Sequence, residues 1–253
     1  IADLFLAGII PGLLLTFMMS FYGFAKNRHI PPTPFSRTRA IEALREGIWA
    51  MMLPVILLGG IYSGYFAPTE AAAVALAYAL FVELFIHREL GFLGFFGIFK
   101  YTAQLLGSIF PIIAVALSLK SLLAVQGVPQ EFAAFLQETF TNKWTYLLAV
   151  NVALLVVGCF VDAIPAILLL GPLLFAGAAA FGIHPVHFGI IMVVNLELGF
   201  ITPPIGLNLI VAMTAFKERF STVARSVVPF LGLMLIFLMV VTYVPQLSLF
   251  LIR

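Results

Sequence analysis

Between Val227 and Val244 the chain reads "VVPFLGLMLIFLMVVTYV", with no charged residue. Comparable runs lie at about Leu4 to Ala25, Trp49 to Tyr62, onward to Ile86, then to Val125, and from Ile190 to Phe216. An apolar run of roughly 20 residues is what an α-helix needs to cross a bilayer. Lipid offers the backbone no hydrogen-bond partner, so such runs must satisfy their own N–H and C=O groups as helices. Composition removes the soluble alternative. Charged residues make up 9% of the chain, against roughly 25% in a soluble domain, too few to cover a surface facing water. The expected fold is therefore all-α and integral to the membrane, a polytopic helical bundle whose surroundings are the lipid bilayer. A formal net charge of +2 points to no nucleic-acid partner. The single cysteine, Cys159, excludes an intrachain disulfide and reads as a small buried residue. The start, "IADLFLAGIIPGLLLTFMM", carries no initiator Met, basic segment or small-residue cleavage site, and is expected to begin part-way through a longer protein.

Residues 1–25 are expected to form one transmembrane helix, and residues 26–100 interfacial helices and further spans. Ser36 is a suitable N-cap, and Arg37, Ile41, Leu44 and Ile48 follow at helical spacing, so an amphipathic helix should run along the membrane surface into the next span. "GFLGFFGIFKYTAQ" suggests a second interfacial start. Residues 101–220 hold the informative interruptions. Two short apolar halves, Tyr146–Val157 and Ala163–Gly177, meet at "GCFVDAIP" and predict a hairpin over 146–177. The run 190–216 is broken by "ITPPIG" and predicts a discontinuous helix. Residues 221–253 supply a further arm and the last span.

Lys/Arg asymmetry orients the spans. With Lys26–Glu46 in the cytoplasm and 146–177 entering and leaving from one side, Lys26, Arg28, Arg37, Arg39, Arg45, Arg88, Lys100, Lys217, Arg219 and Arg225 are cytoplasmic, 10 of the 13. A full crossing by the hairpin would move Lys217, Arg219 and Arg225 outside, so a re-entrant hairpin is preferred.

Asp162 lies between the two half-spans, near Pro165. A carboxylate at membrane depth is costly unless paired, and irregular backbone persists there only where it is buried in protein or lines a cavity. A hairpin tip that binds a cation or a polar substrate meets both conditions; a capping Asp in an outer loop is the plainer alternative. In the broken run, Pro203 and Pro204 remove two backbone donors. Carbonyls from Gly199 to Thr202 are expected to be free, with the Thr202 hydroxyl and the Asn195 and Asn208 amide oxygens close by. These are hard oxygen ligands suited to Na⁺. The helix restarting after Pro204 presents N–H groups to an anion, and discontinuous helices near the midplane mark secondary transporters. Glu197 could be a proton or cation site, or could hold the break in shape. Pro68 and Glu70 in "APTEAAAVAL" suit a first helical turn, and a structural role is preferred. His184 and His187 are read as loop residues rather than metal ligands. Lys120, beside Ser118 and Ser121, is read as a snorkelling lysine rather than half of a catalytic dyad. The chain shows no zinc-protease motif, phosphate loop or dinucleotide fingerprint, and no continuous polar stripe or charge ring suggests a channel.

"GIYSGYFAPTEAAAVA", "GCFVDAIPAILLLGPLL" and "LELGFITPPIGLNLIVA", in this order, resemble the large membrane subunit of the tripartite ATP-independent periplasmic (TRAP) transporters, over that subunit's second half. The resemblance implies one half of an inverted-repeat, elevator-type, Na⁺-driven importer in the bacterial inner membrane. It implies as partners a small membrane subunit, a periplasmic substrate-binding protein and the N-terminal half of the same subunit. Its substrates would be organic acids such as C4-dicarboxylates or sialic acid, with no cofactor beyond Na⁺ as coupling ion. By motif, Asp162 falls at the hairpin tip, and Thr202, Pro203, Pro204, Gly206 and Asn208 fall in the broken helix. The expected cation site is then Asp162, Gly199, Thr202, Gly206 and Asn208, and the substrate contacts are Pro165, Asn195, Pro203 and Pro204. The segments around Ile41 and Phe95 resemble arm helices. A channel or a proton-coupled subunit without a binding protein is the alternative.

Overall fold

A computed structural model describes residues 2–29, 31, 36–88 and 90–252. Ile1, Ile30 and Pro32–Phe35 of the segments read above as a span and a cytoplasmic stretch, with Glu89 and Arg253, lie outside the described residues. Regular structure among the described residues is helical: α1 (Ala2–Lys26), α2 (Arg37–Tyr62), α3 (Pro68–Phe81, prolonged by a wider π-type turn, Val82–His87), α4 (Phe92–Val125), α5 (Val128–Thr139), α6 (Lys143–Gly158), α7 (Ala163–Ala180), α8 (Pro185–Phe200), α9 (Leu207–Phe216), α10 (Phe220–Tyr243) and α11 (Gln246–Leu249). Six are long and apolar enough to cross a membrane: α1, α2, α3 with its π-turn, α4, α7 and α10. The shorter apolar helices α6, α8 and α9 surround the interruptions.

The helix starts follow from local chemistry. Ser36 accepts from the Arg39 N–H at 3.5 Å, and the amphipathic segment and the following span form one unbroken α2. At α3, Pro68 occupies the first turn and Glu70 Oε2 accepts from the Ala67 N–H at 2.8 Å. Glu70 thus closes a helix start, which gives the preferred structural role a concrete form. Asn142 Oδ1 accepts from Trp144 N and Thr145 N at 3.0 and 2.9 Å and caps α6. Of the two histidines, His184 lies in the connection as read and His187 does not. His184 caps α8, its Nδ1 accepting from Val186 N, and His187 is buried in the first turn.

The chain divides into two compact units. In the unit Ala25–Gly107, α2 and α3 pair, with Ile61, Ala71 and Ala75 buried and the Tyr78 hydroxyl donating to the Trp49 carbonyl at 2.9 Å. The other unit joins Asp3–Phe24 to Ser108–Arg253, with α8 at its centre. Phe188, Ile191, Met192 and Leu196 on one side of α8 pack with Tyr146, Val150 and Leu154 of α6, Leu174 and Ala178 of α7, and Leu136 of α5. Val186, Ile190 and Val194 on another side meet Ala7, Leu14 and Met18 of α1 and Phe237 and Val241 of α10. Lipid is as apolar as leucine, so cohesion between these helices must come from close approach and interhelical hydrogen bonds more than from escape from water. Both are present. The Tyr146 hydroxyl donates to the Leu174 carbonyl. A methyl group on Gly177 would stand 2.7 Å from Leu136 Cδ1 and 3.0 Å from the Tyr146 hydroxyl.

Candidate ion and substrate site

The hairpin α6–α7 reverses at residues 159–162. Gly158 ends α6, and the Phe160 and Val161 N–H groups both donate to the Val157 carbonyl at 2.9 Å. Asp162 then starts α7 with an extended backbone, and its Oδ1 accepts from the Ala163 N–H at 2.7 Å. The carboxylate is therefore a helix cap, and it is also exposed at the tip beside Phe160 and Val161. Capping occupies one oxygen through one donor, and an ionised carboxylate has about four lone-pair sites. The capping role leaves acceptor capacity for a cation.

The start of α6 and the end of α7 lie on the same side of the unit, because Lys143, Trp144, Gly182 and Ile183 line one cavity. The hairpin returns to the face from which it begins. At 16 residues α6 reaches about 24 Å, short of the roughly 30 Å hydrocarbon core. By length alone α7, at 18 residues, could cross.

The break between α8 and α9 spans residues 201–206. Ile201 N and the Thr202 hydroxyl both donate to the Leu198 carbonyl, at 3.3 and 2.7 Å, and Thr202 N donates to the Gly199 carbonyl at 3.0 Å. This corrects the expectation that the free carbonyls begin at Gly199. Gly199 O is occupied. Among the described residues no backbone N–H donates to the carbonyls of 200–205. The physical reason is that the helix ends with a tightened turn before the prolines act, which consumes Leu198 O and Gly199 O. The Thr202 hydroxyl spends its proton on Leu198 and keeps its lone pairs for a cation. Pro203–Pro204 is a cis peptide. Gly206 restarts the chain in the left-handed region at φ +54°, where a Cβ would also stand 3.1 Å from the Thr202 carbonyl and 2.9 Å from Leu209 Cδ1. Glycine meets both demands at once. Its carbonyl accepts from Leu209 N and Ile210 N, while among the described residues the N–H groups of Leu207 and Asn208 donate to no backbone carbonyl.

These two interruptions meet through their backbones. A Cβ added to Gly199 would stand 2.5 Å from Gly158 C, 2.6 Å from its Cα and 2.8 Å from its O. One added to Gly158 would stand 3.2 Å from Gly199 Cα. The last residue of α6 and the penultimate residue of α8 touch with no side chain between them, which sets the hairpin turn beside the break. Neither glycine pairing is legible from sequence spacing.

The other expected residues divide. Pro203 and Pro204 are exposed at the break, and Asn208 is exposed on the first turn of α9. Pro165 lines an apolar cleft of about 370 Å³ with Pro111, Ile112 and Leu169. Asn195 is placed differently from the other expected substrate contacts. It is 0% exposed, and its Nδ2 donates to the Asn151 carbonyl and to Asn151 Oδ1 at 3.0 and 2.9 Å. Asn151 Nδ2 in turn donates to the Thr242 hydroxyl at 2.9 Å. Asn195 thus fastens α8 to α6 and, through Asn151, to α10, while its buried Oδ1 accepts from no group among the described residues. Asn151 was visible as a polar residue inside an apolar half-span, the signal that was missed. Glu197 is exposed on α8, less than one turn before the break. Ser118 donates to the Ala114 carbonyl on its own helix.

A family described as "Tripartite ATP-independent periplasmic transporter, DctM component" matches residues 1–247. The C4-dicarboxylate TRAP transporter large permease protein DctM of Pseudomonas aeruginosa is 40% identical over 98% of this chain, which spans 59% of that protein's length. The isethionate TRAP transporter permease protein DctMQ of Oleidesulfovibrio alaskensis is 39% identical over 99% of this chain and 40% of its own length. The sialic acid TRAP transporter large permease protein SiaM of Vibrio cholerae is 37% identical over 99% of this chain and 60% of its own length.

Proposed function

The chain belongs to the DctM-component family of tripartite ATP-independent periplasmic transporters, and we propose that it forms half of the transport site of a Na⁺-driven importer of organic anions. The observation that carries this reading is the Gly158–Gly199 backbone contact, which joins an acidic hairpin tip to a broken helix with unpaired carbonyls. Na⁺ must exchange most of its water shell for fixed oxygens. The Asp162 carboxylate, the Thr202 hydroxyl and carbonyls within 200–205 are oxygens of the right hardness, and the carboxylate offsets the ion's charge. The open first turn of α9, at Leu207 and Asn208, then faces an anion. Cation and anion stabilise each other's binding, which couples uptake to the Na⁺ gradient. The relatives named above carry dicarboxylate, sialic acid and isethionate, so the shared cargo chemistry is a small organic anion.

In this reading the subunit sits in the bacterial inner membrane, and 146–177 is re-entrant from the periplasmic side. An anion arrives from a periplasmic binding protein, a small membrane subunit braces the assembly, and the remaining length found in the relatives supplies the second hairpin and broken helix. The site then moves across the membrane as an elevator. Lys143, Gly182 and Pro245 line one cavity, as this topology requires of the start of α6, the end of α7 and the end of α10. The test is the initial uptake rate against Na⁺ concentration in proteoliposomes holding the full complex. Asp162→Asn and Thr202→Val should each raise the Na⁺ needed for half-maximal rate by roughly tenfold, the scale of one lost charge-assisted contact. Wild-type Na⁺ dependence in both variants refutes the assignment. Glu197, exposed beside the break, favours proton coupling as a second reading. In that case uptake follows a pH gradient without Na⁺ and is lost in Glu197→Gln.

A further inference from the structure

At the far end of the hairpin from its tip lies a cavity of about 130 Å³, the volume of about four waters. We propose that it binds a carboxylate presented from the aqueous phase on that face. Its one charged lining side chain is cationic: Lys143 contributes an ammonium, His184 and His187 contribute imidazoles, and no acidic residue is among the lining side chains. The Lys143 Nζ lies 4.6 Å from the centroid of the Trp144 ring, and among the described residues it forms no ion pair. A cation held over an aromatic face without a counter-ion is poised for an anion.

The donors are fixed in advance. His184 Nδ1 accepts from Val186 N at 3.3 Å, which leaves the proton of the neutral ring on Nε2 and makes that nitrogen a donor. His187 is held at both nitrogens, Nε2 donating to the Thr242 carbonyl at 3.3 Å and Nδ1 hydrogen-bonded to the Ser248 hydroxyl at 2.6 Å. It forms a rigid wall. The Trp144 ring is packed against Tyr243 at 5.6 Å between centroids, and the Tyr243 hydroxyl donates to the Trp144 carbonyl at 3.4 Å. Such preorganisation lowers the ordering cost of binding. The remaining lining, including Leu147, Ile183 and Leu249, is apolar. An inorganic anion would leave that surface uncovered. A carboxylate on a short hydrocarbon stem would cover it, and this describes both a short-chain carboxylic acid and an aspartate or glutamate side chain of a soluble protein docked on this face.

The assignment rests on the proposed transport function only for the side of the membrane, and its readout is separate from uptake. 5-Fluorotryptophan is incorporated into the purified full complex, and the Trp144 resonance is identified by its loss in Trp144→Phe. Sodium propionate is titrated against sodium chloride at equal Na⁺ concentration and ionic strength. The Trp144 resonance is expected to move saturably with propionate and not with chloride. Lys143→Gln should raise the half-saturating concentration roughly tenfold or more, as expected for one lost charge-assisted bond. Lys120→Gln should leave it unchanged. Saturation below about 1 mM identifies a free carboxylate as the ligand. Lys143-dependent saturation only at tens of millimolar excludes a free carboxylate and is the affinity expected of a side chain delivered at high effective concentration by a docked protein. A shift that ignores Lys143, or none at all, overturns the proposal.

Discussion

Replacing Gly199 with alanine tests the joint on which the candidate site depends. The new Cβ would stand 2.5, 2.6 and 2.8 Å from C, Cα and O of Gly158, against 3.4 Å for an ordinary contact. Relief therefore needs a separation of about 0.9 Å (3.4 − 2.5). All three opposing atoms are backbone, so no rotamer change supplies it, and α6 must retreat from α8. Overpacking of this kind costs about 1–3 kcal/mol. A gap approaching 1 Å also forfeits a quarter to a half of the dispersion well for each facing pair. The hairpin tip moves with α6, which draws Asp162 away from the oxygens of residues 200–205 with which it is proposed to share a cation. The expected result is little or no Na⁺-driven uptake in proteoliposomes of the full complex and a lowered thermal transition. Gly158→Ala, with its nearest contact at 3.2 Å, needs only about 0.2 Å (3.4 − 3.2) and should fall between Gly199→Ala and wild type. Gly232→Ala has nothing within 4 Å and should transport normally, with up to about 1 kcal/mol of added helix stability. If Gly199→Ala transports with wild-type Na⁺ dependence, the backbone joint does not set the site and the reasoning fails.

Asn151→Ala removes the side-chain acceptor of the Asn195 amide and the donor to Thr242, leaving the residue 151 carbonyl as the remaining acceptor. It should destabilise the subunit by about 1–3 kcal/mol, read as a lowered thermal transition. Glu70→Ala should cost about 0.5–2 kcal/mol through the lost cap at Ala67. Glu70→Gln, which keeps an acceptor oxygen, should cost much less, and uptake should be unchanged in both. Replacing exposed Ile41 and Leu44 with Asp should reduce transport or assembly while the spans still insert, measured as uptake alongside protease protection. Single cysteines at Lys143 and Gly182 should label from the same, periplasmic side, and labelling from opposite faces would rule out the hairpin topology.

The helices were legible because lipid permits so few backbone arrangements that apolar length alone dictates them. The break was legible because Pro203 and Pro204 lack N–H groups, a local fact. What could not be read was every relation across the fold. Gly158 and Gly199 are 41 positions apart (199 − 158), and only the structure shows that each lacks a Cβ for the sake of the other. Asn195 looked like a ligand because a polar residue near a break invites that reading. Its partner Asn151 sits on another helix, and burial between α6 and α8 decided its role. The free carbonyls were placed one residue early because side-chain bonding by Thr202 to Leu198 extends the end of α8, which backbone counting omits. Asp162 takes the capping role that was one of its two readings, and a capping oxygen leaves the other reading chemically open on the same carboxylate.

A joint made solely of main-chain atoms has a consequence for how such a protein can change. Two missing methyl groups are its entire requirement, so it places no demand on the identity of the surrounding side chains. Phe160 and Val161 on the tip and Ile205 and Leu207 beside the break are all exposed, and each can be exchanged without altering the distance between Gly158 and Gly199. Under the proposed function, choice of cargo and mechanical assembly are then separate design variables. A pocket for a bulkier or smaller anion could be grafted onto the rim while the same two glycines hold the parts in register.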